Sequence, residues 1–286
     1  MTNVPEVTLK DLIERHSVIL FDAYGVLANS DLVIPGAREA IDHLNEADKP
    51  YFVLTNDASA LPKTRAARYE NLGLAIDAGR IITSGSLLKG HFSEHGLEGM
   101  RCVVLGPVDS ERYVESAGGV VVSADGDFEA LVIGDQSGFP LLETGRVVLT
   151  GLFRLIDSGR PPRLILPNPD LIYPSDEGFA FASGTVAQMF EGALALRYPD
   201  RSELRFTRLG KPHAAIYEEA YRRSGTMDMV MIGDTPDTDI RGANSFGIAS
   251  ALVGTGVSTQ DLTRLAADDV PTYVMRSLAP DGRPNS

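Results

Sequence analysis

The sequence is poor in the features that would direct a chain to a membrane, a nucleic acid or an oxidising compartment. It holds a single cysteine, so no intrachain disulfide can form. Cys102 stands in the apolar run Cys102-Val103-Val104-Leu105, which predicts a buried strand thiol. No apolar stretch approaches the ~20 residues that span a bilayer. Lys and Arg number 26 against 39 Asp and Glu, and the formal net charge of −13 repels nucleic acid and anionic lipid alike. The opening residues, Met1 to Glu6, lack the basic start and apolar run of a secretory signal, so a cytoplasmic location is expected. Repeats, low-complexity tracts and coiled-coil heptads are missing too, which leaves a soluble globular protein.

What the chain does contain is alternation. With 286 residues, 43% of them apolar, it can build one large domain or a core with a smaller insertion. Strand-like stretches over 18–22, 51–54, 229–232 and 251–253 alternate with helix-like stretches over 37–46, 62–72, 214–223 and 239–246. That order predicts an α/β fold, a mostly parallel sheet flanked by helices. In the 37–46 helix, Ala40, Ile41, Leu44 and Ala47 are expected on one face. A second set of elements, strands over 101–105, 119–122, 130–133 and 163–166 with helices over 110–116, 142–156 and 185–196, is large enough for its own core. Polar joints at Thr83-Ser84-Gly85 and Pro199-Asp200-Arg201-Ser202 predict a core domain from residues 1–83 and 205–286, with 84–204 inserted as a second domain. Met227, Met229 and Met231 alternate along a strand and are expected in the core.

Two of the apolar strands run directly into acids. One is Val18-Ile19-Leu20-Phe21-Asp22, the other Met229-Val230-Met231-Ile232-Gly233-Asp234. The carboxyl ends of strands are where open α/β sheets bind ligands. Paired carboxylates there suit Mg²⁺, which takes one or two of them and fills its other positions with phosphate and water. A third strand delivers Thr55-Asn56-Asp57 to the same kind of end. Gly210-Lys211-Pro212 supplies a cation before a helix. It is no Walker loop, because Arg205 stands where the first glycine should be and Pro212 where Ser or Thr should be.

Four stretches taken in order carry a family resemblance: Asp22-Ala23-Tyr24-Gly25-Val26-Leu27, Leu54-Thr55-Asn56-Asp57, Gly210-Lys211-Pro212, and Gly233-Asp234-Thr235-Pro236-Asp237-Thr238-Asp239-Ile240. With Val33-Ile34-Pro35-Gly36-Ala37 between the first two, the chain resembles the haloacid dehalogenase superfamily, specifically the class IIA phosphatases similar to NagD and 4-nitrophenylphosphatase. The resemblance implies a Rossmann-like core with an inserted α/β cap of the C2 type, and a Mg²⁺-dependent phosphatase acting on a small phosphorylated metabolite. It casts Asp22 as the nucleophile that becomes an aspartyl-phosphate, and Lys211 as the cation that offsets its charge and that of the phosphoryl oxygens. Thr55 and the backbone amides after it, through Asn56 and Asp57, would bind phosphate. Asp22, the Tyr24 backbone carbonyl and Asp234 would hold the metal, with Asp239 orienting the set. Asp237 is expected to cap the last helix. Class IIA enzymes choose substrates with cap residues, which makes Asp135 and Asn168 candidates. A homodimer would be in keeping with the class.

Tyr24 breaks the pattern. Phosphatases of this superfamily usually carry a second aspartate two residues after the nucleophile, as general acid and base. A phenol, with a reference pKa near ~10, is a poor substitute, and general acid–base catalysis contributes roughly 10²–10⁴-fold in rate. The expectation is slow turnover with a preference for good leaving groups, unless Asp57 supplies the acid. Asp-Ala-Tyr-Gly also resembles the L-2-haloacid dehalogenases, so carbon–halogen hydrolysis is one alternative. A protein that binds magnesium and a phospholigand without turnover is another. His91 and His95, four residues apart, are expected on a solvated helix, and His213 at the surface.

Overall fold

The computed structural model describes residues 4–29, 31–175, 178–254, 262 and 265–279. The chain divides into two compact units, the first from Met1–Thr55, Pro62–Ile82 and Lys211–Ser286, the second from Asn56–Leu61 and Thr83–Gly210.

The first unit is built on a six-stranded sheet in the order Tyr273–Met275, Ala249–Val253, Met229–Gly233, Val18–Asp22, Tyr51–Thr55, Ile81–Thr83. The two central strands are buried at every residue, as parallel strands covered on both faces must be. Their parallel register sets Val18 opposite Met229 and Phe21 opposite Ile232, while Asp22 lies opposite Leu54 on the other side. The carboxyl ends that carry Asp22, Thr55 and Asp234 therefore fall on one edge. The helix Ala37–Glu46 turns Ala37, Ala40, Ile41 and Leu44 inward. Ala47 is instead the exposed C-cap, so Ala37 takes its expected place on the apolar stripe. Met229 and Met231 are buried, but Met227 lies ahead of the strand and is 42% exposed. The sequence reading omitted the helix Leu9–Arg15, although Thr8 and Asp11 form a reciprocal cap at its start.

The second unit carries a five-stranded sheet in the order Thr207–Arg208, Arg163–Leu166, Ala130–Ile133, Arg101–Leu105, Val120–Val121, parallel throughout. Helices Leu88–His95, Val108–Ser116, Leu141–Asp157 and Ser183–Arg197 belong to it. Its own core gathers Val103, Leu131, Ile133, Leu152, Leu164 and Phe190 with their neighbours. It extends to Gly210, past the boundary expected near 204, because Thr207–Arg208 joins its sheet. Buried Glu191 fastens that segment by accepting from the Phe206 amide at 2.8 Å and from Arg208 at 3.1 Å. A hairpin of Ile172–Ser175 and Gly178–Phe181 went unforeseen, since Pro174 interrupts a strand-like pattern.

Cys102 is buried as expected, and burial pushes its thiol up to about 12. Among the described residues no helix is long and apolar enough to cross a membrane.

Candidate active site

The acids at the strand ends converge within the first unit. Asp22 closes the Val18–Asp22 strand, Asp234 follows Met229–Gly233 directly, and Asp239 sits in a π-helical turn, Pro236–Ile240. All three are buried, and each offers a carboxylate oxygen within 4.8 Å of the others. Lys211, 3% exposed, places its Nζ against Asp22 Oδ1 and 2.6 Å from Asp239 Oδ1.

Asp239 is held from further sides as well. Its Oδ2 accepts from the Thr235 amide at 3.2 Å, and its backbone carbonyl accepts from the Tyr217 hydroxyl at 3.1 Å. Burial and the adjacent Asp239 charge push the Tyr217 phenol well above its usual value, so it stays a neutral donor. No sequence signal marked Tyr217. Asp237, by contrast, is exposed, and Thr235 rather than Asp237 occupies the N-cap position of the turn.

Two negative charges are left over when one ammonium faces three carboxylates. Burial raises Asp22 from 3.8 to about 6; Lys211 pulls it down and Asp234 pushes it up further. Asp239 rises to about 6 for the same reason, burial first, with Lys211 opposing and Asp22 reinforcing. Burial alone would lower Lys211, but Asp22 and Asp239 more than reverse that and keep it charged. An all-oxygen donor set with a surplus of two charges fits a hard divalent cation. Gly25 leaves room for the Asp234 carboxylate. At φ +83° it takes a left-handed turn, and a Cβ there would run into the Asp234 carboxylate.

A raised carboxylate pKa favours the folded protein below the unfolded value, and that advantage is lost as pH climbs through the folded one. In chelator-treated protein, Asp22→Asn is therefore expected to match the wild-type melting temperature near pH 4 and exceed it by several degrees at pH 7.5, with Mg²⁺ shrinking the difference. Equal melting temperatures at both pH values would refute the charge surplus.

The other expected residues fall into two groups. Tyr24, 37% exposed, lies on the turn after Asp22, and Thr55, 9% exposed, ends its strand in the first unit. Asn56, Asp57, Asp135 and Asn168 belong to the second unit. There Asp57 accepts from the Ser59 amide at 3.0 Å and hydroxyl at 2.6 Å. Asp135 holds Ser137 in the same way, at 2.8 and 2.6 Å. Asn168 accepts from the Asp170 amide at 3.0 Å, and Asn56 donates to Asp170 at 2.8 Å, a partner that sequence reasoning passed over. His213 is exposed, as is His95, which lies 4.3 Å from the His91 ring on their helix.

The chain is similar to proteins already known. Residues 19–119 match the haloacid dehalogenase-like hydrolase family and residues 208–280 match the HAD-hydrolase-like family. A dihydroxyacetone phosphatase of Corynebacterium glutamicum is 29% identical over 91% of this chain and 88% of its own. The crystal structure of a possible sugar phosphatase of the HAD superfamily from Cytophaga hutchinsonii is 32% identical, covers 97% of this chain and 99% of its own, and superposes with a TM-score of 0.82. The 4-nitrophenylphosphatase of Thermotoga maritima, 22% identical with a TM-score of 0.80 over 95% of this chain and 98% of its own, shares the fold. By motif order, fold and these likenesses, the chain belongs to the haloacid dehalogenase superfamily of hydrolases.

Proposed function

We propose that this protein is a Mg²⁺-dependent phosphatase that hydrolyses a small phosphorylated metabolite through an aspartyl-phosphate on Asp22. The observation that carries the reading is the buried contact of Lys211 with Asp22 and Asp239 beside Asp234. The names of the relatives, a dihydroxyacetone phosphatase and a possible sugar phosphatase, support a phosphorylated sugar or triose as substrate.

The chemistry divides into two displacements. An Asp22 oxygen attacks phosphorus, a new O–P bond forms, and the bond to the leaving alcohol's oxygen breaks. Water then attacks the same phosphorus, the Asp22–phosphorus link breaks, and inorganic phosphate leaves with the carboxylate regenerated. Lys211 stabilises charge accumulating on the phosphoryl oxygens, and its contact with Asp239 fixes the ammonium between the two acids. Thr55 binds a phosphoryl oxygen from the neighbouring strand end. Asp22, Asp234 and the Tyr24 carbonyl would hold Mg²⁺, which neutralises the carboxylates and the phosphate. Tyr24 supplies no carboxylate for the proton transfers, so an alcohol of high pKa leaves slowly and an aryl alcohol leaves faster.

The test is phosphate release from 4-nitrophenyl phosphate and from dihydroxyacetone phosphate, each with Mg²⁺ and with chelator. Release that needs Mg²⁺ is expected, with the aryl ester faster. Release indifferent to chelator refutes the mechanism, and halide release from a 2-haloacid would favour the dehalogenase reading. Independently of turnover, Mg²⁺ at about 100 times its Kd should stabilise the fold by about 2.7 kcal/mol, a few degrees in melting temperature. Asp234→Asn should remove that shift.

A further inference from the structure

Resting on the phosphatase reading, a second question is what fixes the two residues that grip phosphate, Thr55 and Lys211. Each is the covalent neighbour of a residue in the second unit. Asn56 follows Thr55, and Gly210 precedes Lys211. Within the second unit those two neighbours are tied into one polar knot.

Asn56 is 6% exposed, and a buried carboxamide must have its polar atoms satisfied. Its Nδ2 donates to Asp170 Oδ1 at 2.8 Å, a charge-assisted bond, and its carbonyl accepts from Ser84 Oγ at 2.5 Å. Asp170 is itself immobilised. Its amide donates to Asn168 Oδ1 at 3.0 Å, and its carbonyl accepts from the Gly184 amide at 2.8 Å, at the start of the helix Ser183–Arg197. Pro167 and Pro169 stiffen the stretch by fixing φ. The other crossing chain closes on the same group. Gly210 N donates to the Pro167 carbonyl at 2.9 Å. Its Cα lies so close that an added Cβ would come within 2.5 Å of Asn56 Oδ1 and 2.8 Å of the Pro167 carbonyl.

We propose that Asp170 is a positioning residue for this reaction: by holding the Asn56 carboxamide against Gly210, it sets the spacing of the chain leaving Thr55 and the chain entering Lys211. Both of those residues contact a phosphoryl group whose charge grows in the transition state, so misplacing them falls mainly on kcat. A displacement of about 1 Å costs on the order of 10²-fold.

The experiment compares wild type, Asp170→Ala, Asp170→Asn and Gly210→Ala by steady-state hydrolysis of 4-nitrophenyl phosphate with Mg²⁺, and by melting temperature. Asp170→Ala is expected to lower kcat roughly 10- to 100-fold with KM within about threefold. Asp170→Asn keeps an acceptor for the Asn56 amide and should stay within about threefold of wild type. Gly210→Ala crowds the carboxamide from the other side and should lose kcat in the range of Asp170→Ala, which carries the test if that variant does not fold. If wild type releases phosphate while Asp170→Ala, or Gly210→Ala in its place, stays within threefold, the positioning role is refuted and the phosphatase reading stands. If Asp170→Asn and Asp170→Ala lose activity and melting temperature together, Asp170 is merely structural. A wild type that releases no phosphate removes the reading and this inference with it.

Discussion

Asp22→Asn is expected to reduce phosphate release by roughly 10⁴–10⁶-fold, the scale seen when a nucleophile is removed from a preorganised site. Three losses coincide in this single change. A carboxamide does not displace an alcohol from phosphorus, so the covalent route closes. The strongest partner of Lys211 becomes neutral, although Asp239 still holds the ammonium at 2.6 Å. The proposed metal set loses one of its buried carboxylates. None of these unfolds the protein: Asp22 is one residue on a strand whose other four are fully apolar and buried, and removing a charge from a surplus relieves repulsion. The measurement pairs phosphate release with melting temperature. Lost activity together with an unchanged or raised melting temperature in chelator supports the mechanism, whereas retained activity would show that Asp22 forms no bond to phosphorus.

The parts of this site that could be read from sequence are those where secondary structure itself delivers the residue. An apolar strand that ends on an acid places that acid at the carboxyl edge of a parallel sheet, and the registers pairing Val18 with Met229 and Asp22 with Leu54 put Asp22, Thr55 and Asp234 on one edge. Lys211 needed motif order as well, since a lysine in a loop carries no periodic signal. The rest depends on distances that no local pattern encodes. Tyr217 reaches the Asp239 carbonyl from a helix whose periodicity records only an inward face. Asp237 looked like a cap because it heads the helical stretch running through Ala243, yet the structure has a π-helical turn at Pro236–Ile240 whose N-cap is Thr235. The boundary after residue 204 shifted because a pair of residues, Thr207 and Arg208, joins a sheet by pairing with Ile165 and Leu166, too short a run to register as a strand.

Tyr24→Asp is expected to raise turnover of alkyl phosphates by roughly 10²-fold, the lower end of what general acid–base catalysis contributes. The position is structurally permissive: Tyr24 is 37% exposed, and the turn is held by backbone groups, with Gly25 N donating to the Asn29 side chain at 3.0 Å and Leu27 N to the Ala23 carbonyl at 3.0 Å. Replacing the phenol leaves those bonds and the backbone carbonyl in place. The gain should be uneven across substrates, because an aryl leaving group departs without a proton and an alkyl one does not. A tenfold or smaller preference for 4-nitrophenyl phosphate over an alkyl ester in the variant, against a larger one in wild type, is the signature. The second displacement gives an independent readout. With no carboxylate to deprotonate the attacking water, the acyl-phosphate on Asp22 should break down slowly in wild type and accumulate, giving a burst of alcohol before steady state and a phosphoryl label on the peptide containing Asp22 after acid quench. Tyr24→Asp should abolish both. A wild type without burst or label, and a variant no faster on alkyl esters, would mean that proton transfer is supplied from elsewhere. Asp57→Asn then tests the nearest acid on the Thr55 loop, whose carboxylate is engaged by Ser59 at 2.6 Å and must give up that contact to take part.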